Sequence, residues 1–180
     1  MDNKIKGTTY IFQCLALVIL VVIDQLTKVF ARNSLNPLNN GSEISIIKGV
    51  FSLHYLENRG SVWGILQGKV DFLLIVSIIL FSILVYIYIR IPKVKNYLPL
   101  MWLDVMMIAG AVGNTIDRLF FGYVTDFLYF ELINFPIFNG ADCWITISAF
   151  VTVILVLTRY KNDDFEFLFF KKKADKKDEE

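Results

Sequence analysis

The sequence predicts an all-α membrane protein: four transmembrane helices with a small extracytoplasmic β element between helices 1 and 2. Three observations carry this prediction. Of 180 residues, 56% are hydrophobic and only 19% are charged, with a mean hydropathy of +0.55; soluble domains carry about a quarter charged residues. The apolar excess is gathered into blocks. Four of them, at about 10–30, 70–91, 98–121 and 141–160, reach the ~20 residues that a helix needs to cross ~30 Å of hydrocarbon. Between the first two, residues 31–69 are too many for a simple turn, and Phe51, Leu53 and Tyr55 alternate there with Ser52 and His54.

The first block, in "MDNKIKGTTYIFQCLALVILVVIDQ", has a basic start and an apolar core. No small-x-small cleavage site follows, so it reads as a retained first span. The alternating stretch gives a β element over about 42–66, resting on the membrane surface. The second span is the cleanest, uncharged from Phe72 to Ile89. The third and fourth carry polar residues inside or at one end. One four-span domain therefore occupies 1–165, and 166–180 form a charged cytoplasmic tail ending "KKKADKKDEE".

Lys and Arg set the orientation. Lys4 and Lys6 precede span one, Arg90, Lys93 and Lys95 fill the turn between spans two and three, and Arg159 and Lys161 follow span four. The loop 122–140 has neither. Both termini are expected in the cytoplasm, although Lys28, Arg32, Lys48, Arg59 and Lys69 run against this in the first outer segment.

Several function classes fall away. A net charge of +1 implies no nucleic-acid partner. Cys14 and Cys143 are too few for a disulfide framework, and His54, the one histidine, is more often structural on a strand than a ligand. There is no G-x-S-x-G or H-E-x-x-H motif, so serine and zinc hydrolases have little support. No metal or cofactor is expected.

What remains for acid–base chemistry is carboxylates. Counted along the spans, Asp24, Asn114, Asp117, Arg118, Asp126, Asn139 and Asp142 collect near one depth, the outer membrane interface. Ionisable residues within spans are functional candidates. Each also has a structural reading. Asp24 and Lys28 stand at i, i+4 and can pair. Asp117 and Arg118 can form a charge pair that locks spans together. Gly110 and Gly113 allow close helix packing. Asn114 can hydrogen-bond between helices, Asp142 can cap span four, Asp126 can be a loop residue, and Asp104 is expected to be interfacial or paired. Two Asp side chains brought together share a proton, one activating water while the other protonates the departing group. Spacing alone does not choose the pair.

Four stretches point further: "DQLTK" at 24–28, "NRGSVWGIL" at 58–66, "GAVGNTIDRLFFGYVTDF" at 110–127 and "FPIFNGADCWI" at 135–145. In this order, over nearly the whole chain, they resemble the lipoprotein signal peptidase (signal peptidase II) family. The resemblance implies a membrane aspartyl endopeptidase that cleaves bacterial prolipoproteins just before a diacylglyceryl-modified Cys. It implies Asp126 and Asp142 as the catalytic dyad, and Asn58, Gly60, Asn114, Arg118 and Asn139 along the substrate site. Asp24, Lys28 and Asp117 would be structural support, with the β element and Trp63 capping the groove. Substrates arriving laterally through lipid, contact with membrane lipids and action as a monomer are further expectations. The sequence departs from the family pattern at Ser61–Val62, where a small pair is usual, and at Cys143–Trp144, where a small hydroxyl residue usually follows the second Asp. The alternative is a polar-lined, proton-coupled transporter with Asp24, Asp117 and Asp126 as a relay, or, more weakly, a structural membrane adaptor. The lack of an internal repeat weighs against the transporter.

Overall fold

The computed structural model describes residues 4–39, 41–60 and 66–168. Ser61–Val62, Trp63 and the run of charge from 171 onward therefore lie outside the described residues. Four helices are long and apolar enough to span a membrane: α1 (Gly7–Ser34), α2 (Val70–Arg90), α3 (Leu98–Phe121) and α4 (Gly140–Thr158). α1 outruns its apolar block at both ends. Its 28 residues extend ~42 Å at ~1.5 Å per residue, well beyond the hydrocarbon core. The polar ends are helix-compatible, and the hydropathy pattern marks only the part that lipid tolerates.

The helices start and stop for local reasons. Pro99 sits in the first turn of α3, where a missing N–H costs nothing. α3 ends at Gly122, whose φ of 73° lies in the left-handed region that glycine enters freely. α4 opens with a capping box. The Asn139 side chain accepts from the Asp142 backbone N–H, and the Asp142 carboxylate accepts from the Asn139 N–H.

Two strands, β1 (Ile44–Ile47) and β2 (Phe51–Asn58), lie between α1 and α2. A third, β3 (Val124–Tyr129), comes from the loop after α3 and completes an antiparallel sheet in the order β1-β2-β3. The sequence reading had placed no strand there. Six residues interrupted by a carboxylate make a weak period-2 signal, and their pairing with β2 is non-local. The register sets Leu56 opposite Asp126 and Asn58 opposite Val124, with an irregularity between Leu53 and Leu56.

α3 packs against α1, α2 and α4 and is the most enclosed helix, with Asp104, Asn114 and Asp117 among its buried residues. The other three turn apolar side chains outward, as lipid-facing helices do. Both described chain ends lie at the pole opposite the sheet. Ile5 N–H donates to Lys93 O (3.1 Å), and the Tyr97 hydroxyl donates to Asp164 O (2.9 Å). The 3-10 helix Asn162–Leu168 folds back over that pole, where Arg90 Nε donates to Phe167 O (2.7 Å).

The close approach of α3 to α1 and α4 depends on two glycines. A Cβ at Gly110 would lie 2.5 Å from Ala141 O, and one at Gly113 would collide with the Asp24 carboxylate. Gly113→Ala should therefore cost ~1–3 kcal/mol as overpacking and displace Asp24. Gly7→Ala, with open space around it, should be neutral. Thermal unfolding of both variants in the same detergent checks this, and an unchanged midpoint for Gly113→Ala would refute the packing argument.

Candidate active site

Beneath the sheet lies an ionic cluster whose Asp24, Lys28 and Asp117 are fully buried. Lys28 on α1 is 0% exposed; its ammonium stands 3.0 Å from Asp24 Oδ2 and 3.4 Å from Asp117 Oδ2. Asp24 Oδ1 accepts from Ala141 N–H (2.9 Å), joining α1 to the start of α4. Asp117 Oδ2 accepts from Thr125 N–H (2.8 Å), joining α3 to β3. Arg32 lies 3.7 Å from Asp117 and donates to Thr125 Oγ1 (2.8 Å). Buried charges persist where they are paired and further hydrogen-bonded, as here.

The suggested Asp117–Arg118 pair is not formed. Successive helical residues point ~100° apart, so Asp117 faces α1 while Arg118 faces the other way, donating to Ser77 Oγ (3.3 Å) on α2. For Asp104, expected to be interfacial or paired, no ion pair within 4.0 Å forms among the described residues, and its buried Oδ2 has no hydrogen-bond partner among them. The Asp24–Lys28 pair does form. Arg32 was missed as part of the cluster, although 24, 28 and 32 mark one helical stripe.

Asp126 and Asp142 meet above this cluster. The strand register delivers Asp126 from β3 and the capping box delivers Asp142 from α4. Each of their four carboxylate oxygens accepts one amide hydrogen. Asp126 accepts from Asn58 Nδ2 at Oδ2 (2.8 Å) and from Asn139 Nδ2 at Oδ1 (2.6 Å). Asp142 accepts from Asn114 Nδ2 at Oδ1 (2.8 Å) and from Asn139 N–H at Oδ2 (3.2 Å). Asn139 thus touches both carboxylates.

The amides are themselves oriented. Gly60 N–H donates to Asn58 Oδ1 (3.0 Å), which leaves Asn58 Nδ2 for Asp126. Lys28 Nζ donates to Asn114 Oδ1 (2.9 Å), which leaves Asn114 Nδ2 for Asp142. The ionic cluster is therefore wired to the carboxylates through Asn114. Asp126 is 1% exposed, and burial, followed by the negative charge of Asp142, pushes its carboxyl up to about 7 against the pull of its two amide donors.

Both carboxylates line a cavity of about 730 Å³ with Asn58, Asn114 and Arg118. Its other walls are largely apolar: Phe135 to Phe138, Ile145 and Ile147. Hydropathy gave no sign of this wall, because the 135–138 segment is too short to read as an element. Cys143 lines the same cavity, half-buried beside Asp142. His54 lies apart from it, 2.9 Å from Glu43 and 3.8 Å from Glu131, as a structural residue of the sheet.

Four spans and two amide-held carboxylates in one half-apolar cavity describe an integral-membrane aspartic peptidase. A family model described as signal peptidase (SPase) II matches residues 16–158. The chain belongs to the signal peptidase II family. A lipoprotein signal peptidase of Lactiplantibacillus plantarum is 38% identical over 153 residues, 83% of this chain and 95% of its own. One of Clostridium novyi is 35% identical over 145 residues, 78% of this chain and 94% of its own. A bacterial membrane enzyme solved by the in meso method at 1.9 Å aligns with a TM-score of 0.71 and 32% identity, covering 89% of this chain and 99% of that one. The protein is thus an aspartic endopeptidase and a multi-pass bacterial membrane protein. The transporter alternative finds no support in any of these likenesses.

Proposed function

We propose that the protein removes signal peptides from bacterial prolipoproteins, cleaving just before the diacylglyceryl-modified Cys, with Asp126 and Asp142 as the catalytic pair. The observation that carries this is the amide-held pair of carboxylates in one cavity. With one proton between them, the ionised carboxylate takes a proton from water as its oxygen attacks the scissile carbonyl carbon. The protonated carboxyl gives its proton to the carbonyl oxygen. In the collapse of the tetrahedral intermediate a proton passes to the amide nitrogen, and the C–N bond breaks. Arg118 offers a cation to the developing oxyanion. Asn58, Asn114 and Asn139 hold the carboxylates, Gly60 orients Asn58, and Asp24, Lys28 and Asp117 support the site from below.

The apolar walls suit a substrate made of acyl chains and an apolar signal helix that arrives laterally through lipid. Both termini are cytoplasmic and the sheet lies outside, on the Lys/Arg asymmetry of the loops. A reporter active only outside should give signal when fused within 131–135 and none when fused after Lys161; the reverse pattern would overturn this orientation. The direct test of function is cleavage of a synthetic diacylglyceryl-modified peptide by the purified protein. Release of no product from a folded preparation would sink the reading.

The raised Asp126 carboxyl predicts two pH effects. Activity needs one proton in the pair, so kcat/KM should be bell-shaped, falling as the last proton leaves above about 7. The limbs belong to the pair and not to either Asp. The second effect is on stability. The folded carboxyl binds its proton more tightly than an unfolded Asp, near ~3.9. The native state therefore holds more protons between those values, and stability falls as pH rises through that window. Thermal unfolding of wild type should show this slope, and Asp126→Asn should flatten it. Equal slopes would remove Asp126 as its source.

A further inference from the structure

A second cavity, of about 190 Å³, lies between α2, α3, α4 and the 3-10 helix Asn162–Leu168, whose Phe165, Phe167 and Leu168 close it at the pole that carries both described chain ends. Its walls are apolar except for Asp104 of α3 and Thr152 of α4. Asp104 is 4% exposed, and its Oδ2 and the Thr152 hydroxyl are both buried without a hydrogen-bond partner among the described residues. Lys93, the cation that feels Asp104, is engaged elsewhere: its ammonium donates to Tyr88 O and lies 4.4 Å over the Tyr88 ring. Nothing in the peptidase chemistry uses these groups. A carboxyl set in hydrocarbon calls for a proton or a cation.

This cavity shares a seam with the candidate active site. Asp104 and Met107 lie on the same side of α3 as Asn114 and Arg118, and Thr152 stands two turns along α4 from Ile145, which lines the larger cavity. On α2, Ser77, bonded by Arg118, stands two turns from Leu84 of the smaller cavity. From Asn114 to Asp104 the seam is roughly 15 Å long. A signal peptide has a basic N-terminal region followed by ~7–15 apolar residues, which as a helix extend ~10–22 Å. With its scissile bond at the Asp126–Asp142 pair, such a helix brings its basic end to Asp104.

We propose that this cavity seats the ammonium of a lysine from the basic region of the signal peptide. The inference rests on the peptidase reading above. The three ammonium hydrogens match the two Asp104 carboxylate oxygens and the Thr152 hydroxyl oxygen, while the lysine methylenes lie against Leu84, Ile87 and Met107. Asp104 thereby fixes the register of the signal helix, far from the bond that is cut.

The test uses the full-length protein in lipid–detergent micelles and two diacylglyceryl-modified peptides, one with Lys in the basic region and one with uncharged norleucine in its place. Wild type should show a KM about ten-fold lower for the Lys peptide, with kcat unchanged. Asp104→Asn should cleave both with the KM of the norleucine peptide. A Lys preference retained in Asp104→Asn overturns the proposal, as do equal KM values in wild type; the latter leaves the cavity to water or to the chain's own tail. Should Asp104→Asn fail to fold, wild type alone decides. Moving the lysine along the peptide should give a KM minimum at roughly ten residues before the scissile bond, and a flat profile overturns the proposal. Cleavage of both peptides without any Lys preference would leave the peptidase reading intact. Cleavage of neither overturns that reading and the lysine seat with it.

Discussion

Asp126→Asn and Asp142→Asn should each lower turnover per folded molecule by roughly 10³-fold or more, and the double variant should be hardly worse than either single one. Acid–base groups contribute ~10²–10⁴-fold, and members of one catalytic unit are strongly non-additive. The pairing through Asn139 makes them one unit, since that residue donates to both carboxylates. The substitutions are not structurally silent. Asn58 cannot turn its amide to suit an Asn at 126, because Gly60 N–H holds its oxygen. One N–H pair would then face donor to donor, at a cost of ~1–3 kcal/mol. Rates must therefore be normalised to folded protein, judged by thermal unfolding in the assay detergent. Asp117→Asn is the control: it weakens contacts to Lys28 and Arg32 and lowers stability, yet the folded fraction should turn over substrate. If folded Asp126→Asn retains substantial activity while folded Asp117→Asn has none, the pair is wrongly assigned and Asp117 replaces Asp126.

The spans were legible because lipid enforces a single rule, about 20 apolar residues per crossing, and α2 and α3 fall where that rule puts them. β3 was not, since its partner lies some seventy residues earlier and its own pattern is broken by Asp126. Within the site, residue types spoke more clearly than partners. The depth of Asp24, Lys28, Asn114 and Asp117 along their helices could be counted. Which faces which depends on helix rotation and on two glycines that let α3 approach α1 and α4. Asp117 and Arg118 show the difference: adjacency in sequence suggested a pair, and the helical turn separates them. The role of Asn139 as a double donor had no signal in spacing, because it arises only where a cap meets a strand.

Replacing Lys28 with Met should be the most destabilising single change in the bundle. Lys28 Nζ stands 3.0 Å from Asp24, 3.4 Å from Asp117 and 2.9 Å from Asn114 Oδ1, all fully or largely buried. Met preserves most of the volume and removes the cation. Two carboxylates then lose the cation between them, with Arg32 at 3.7 Å from Asp117 and the Gln25 amide donating to Asp24 (3.1 Å) left to offset their charge, and breaking a buried ion pair from one side costs ~3–5 kcal/mol. Arg is no substitute, because a planar fork does not fit a seat shaped for a point charge. Lys28→Met combined with Asp24→Asn should recover part of the loss, since one of the stranded charges has gone, although the Asn must still accept from Ala141 N–H. The same substitution frees Asn114 from one of its two donors, leaving Asn139 Nδ2 at 3.2 Å to hold the amide. Folded Lys28→Met should therefore retain weakened turnover rather than none. Unfolding midpoints of wild type, Lys28→Met and the double variant, taken with turnover per folded molecule, separate the two effects. A Lys28→Met protein as stable as wild type would mean that the Lys28 contacts to Asp24 and Asp117 add no net stability to the fold. A double variant less stable than Lys28→Met would mean that the Asp24 bond to α4 outweighs its charge.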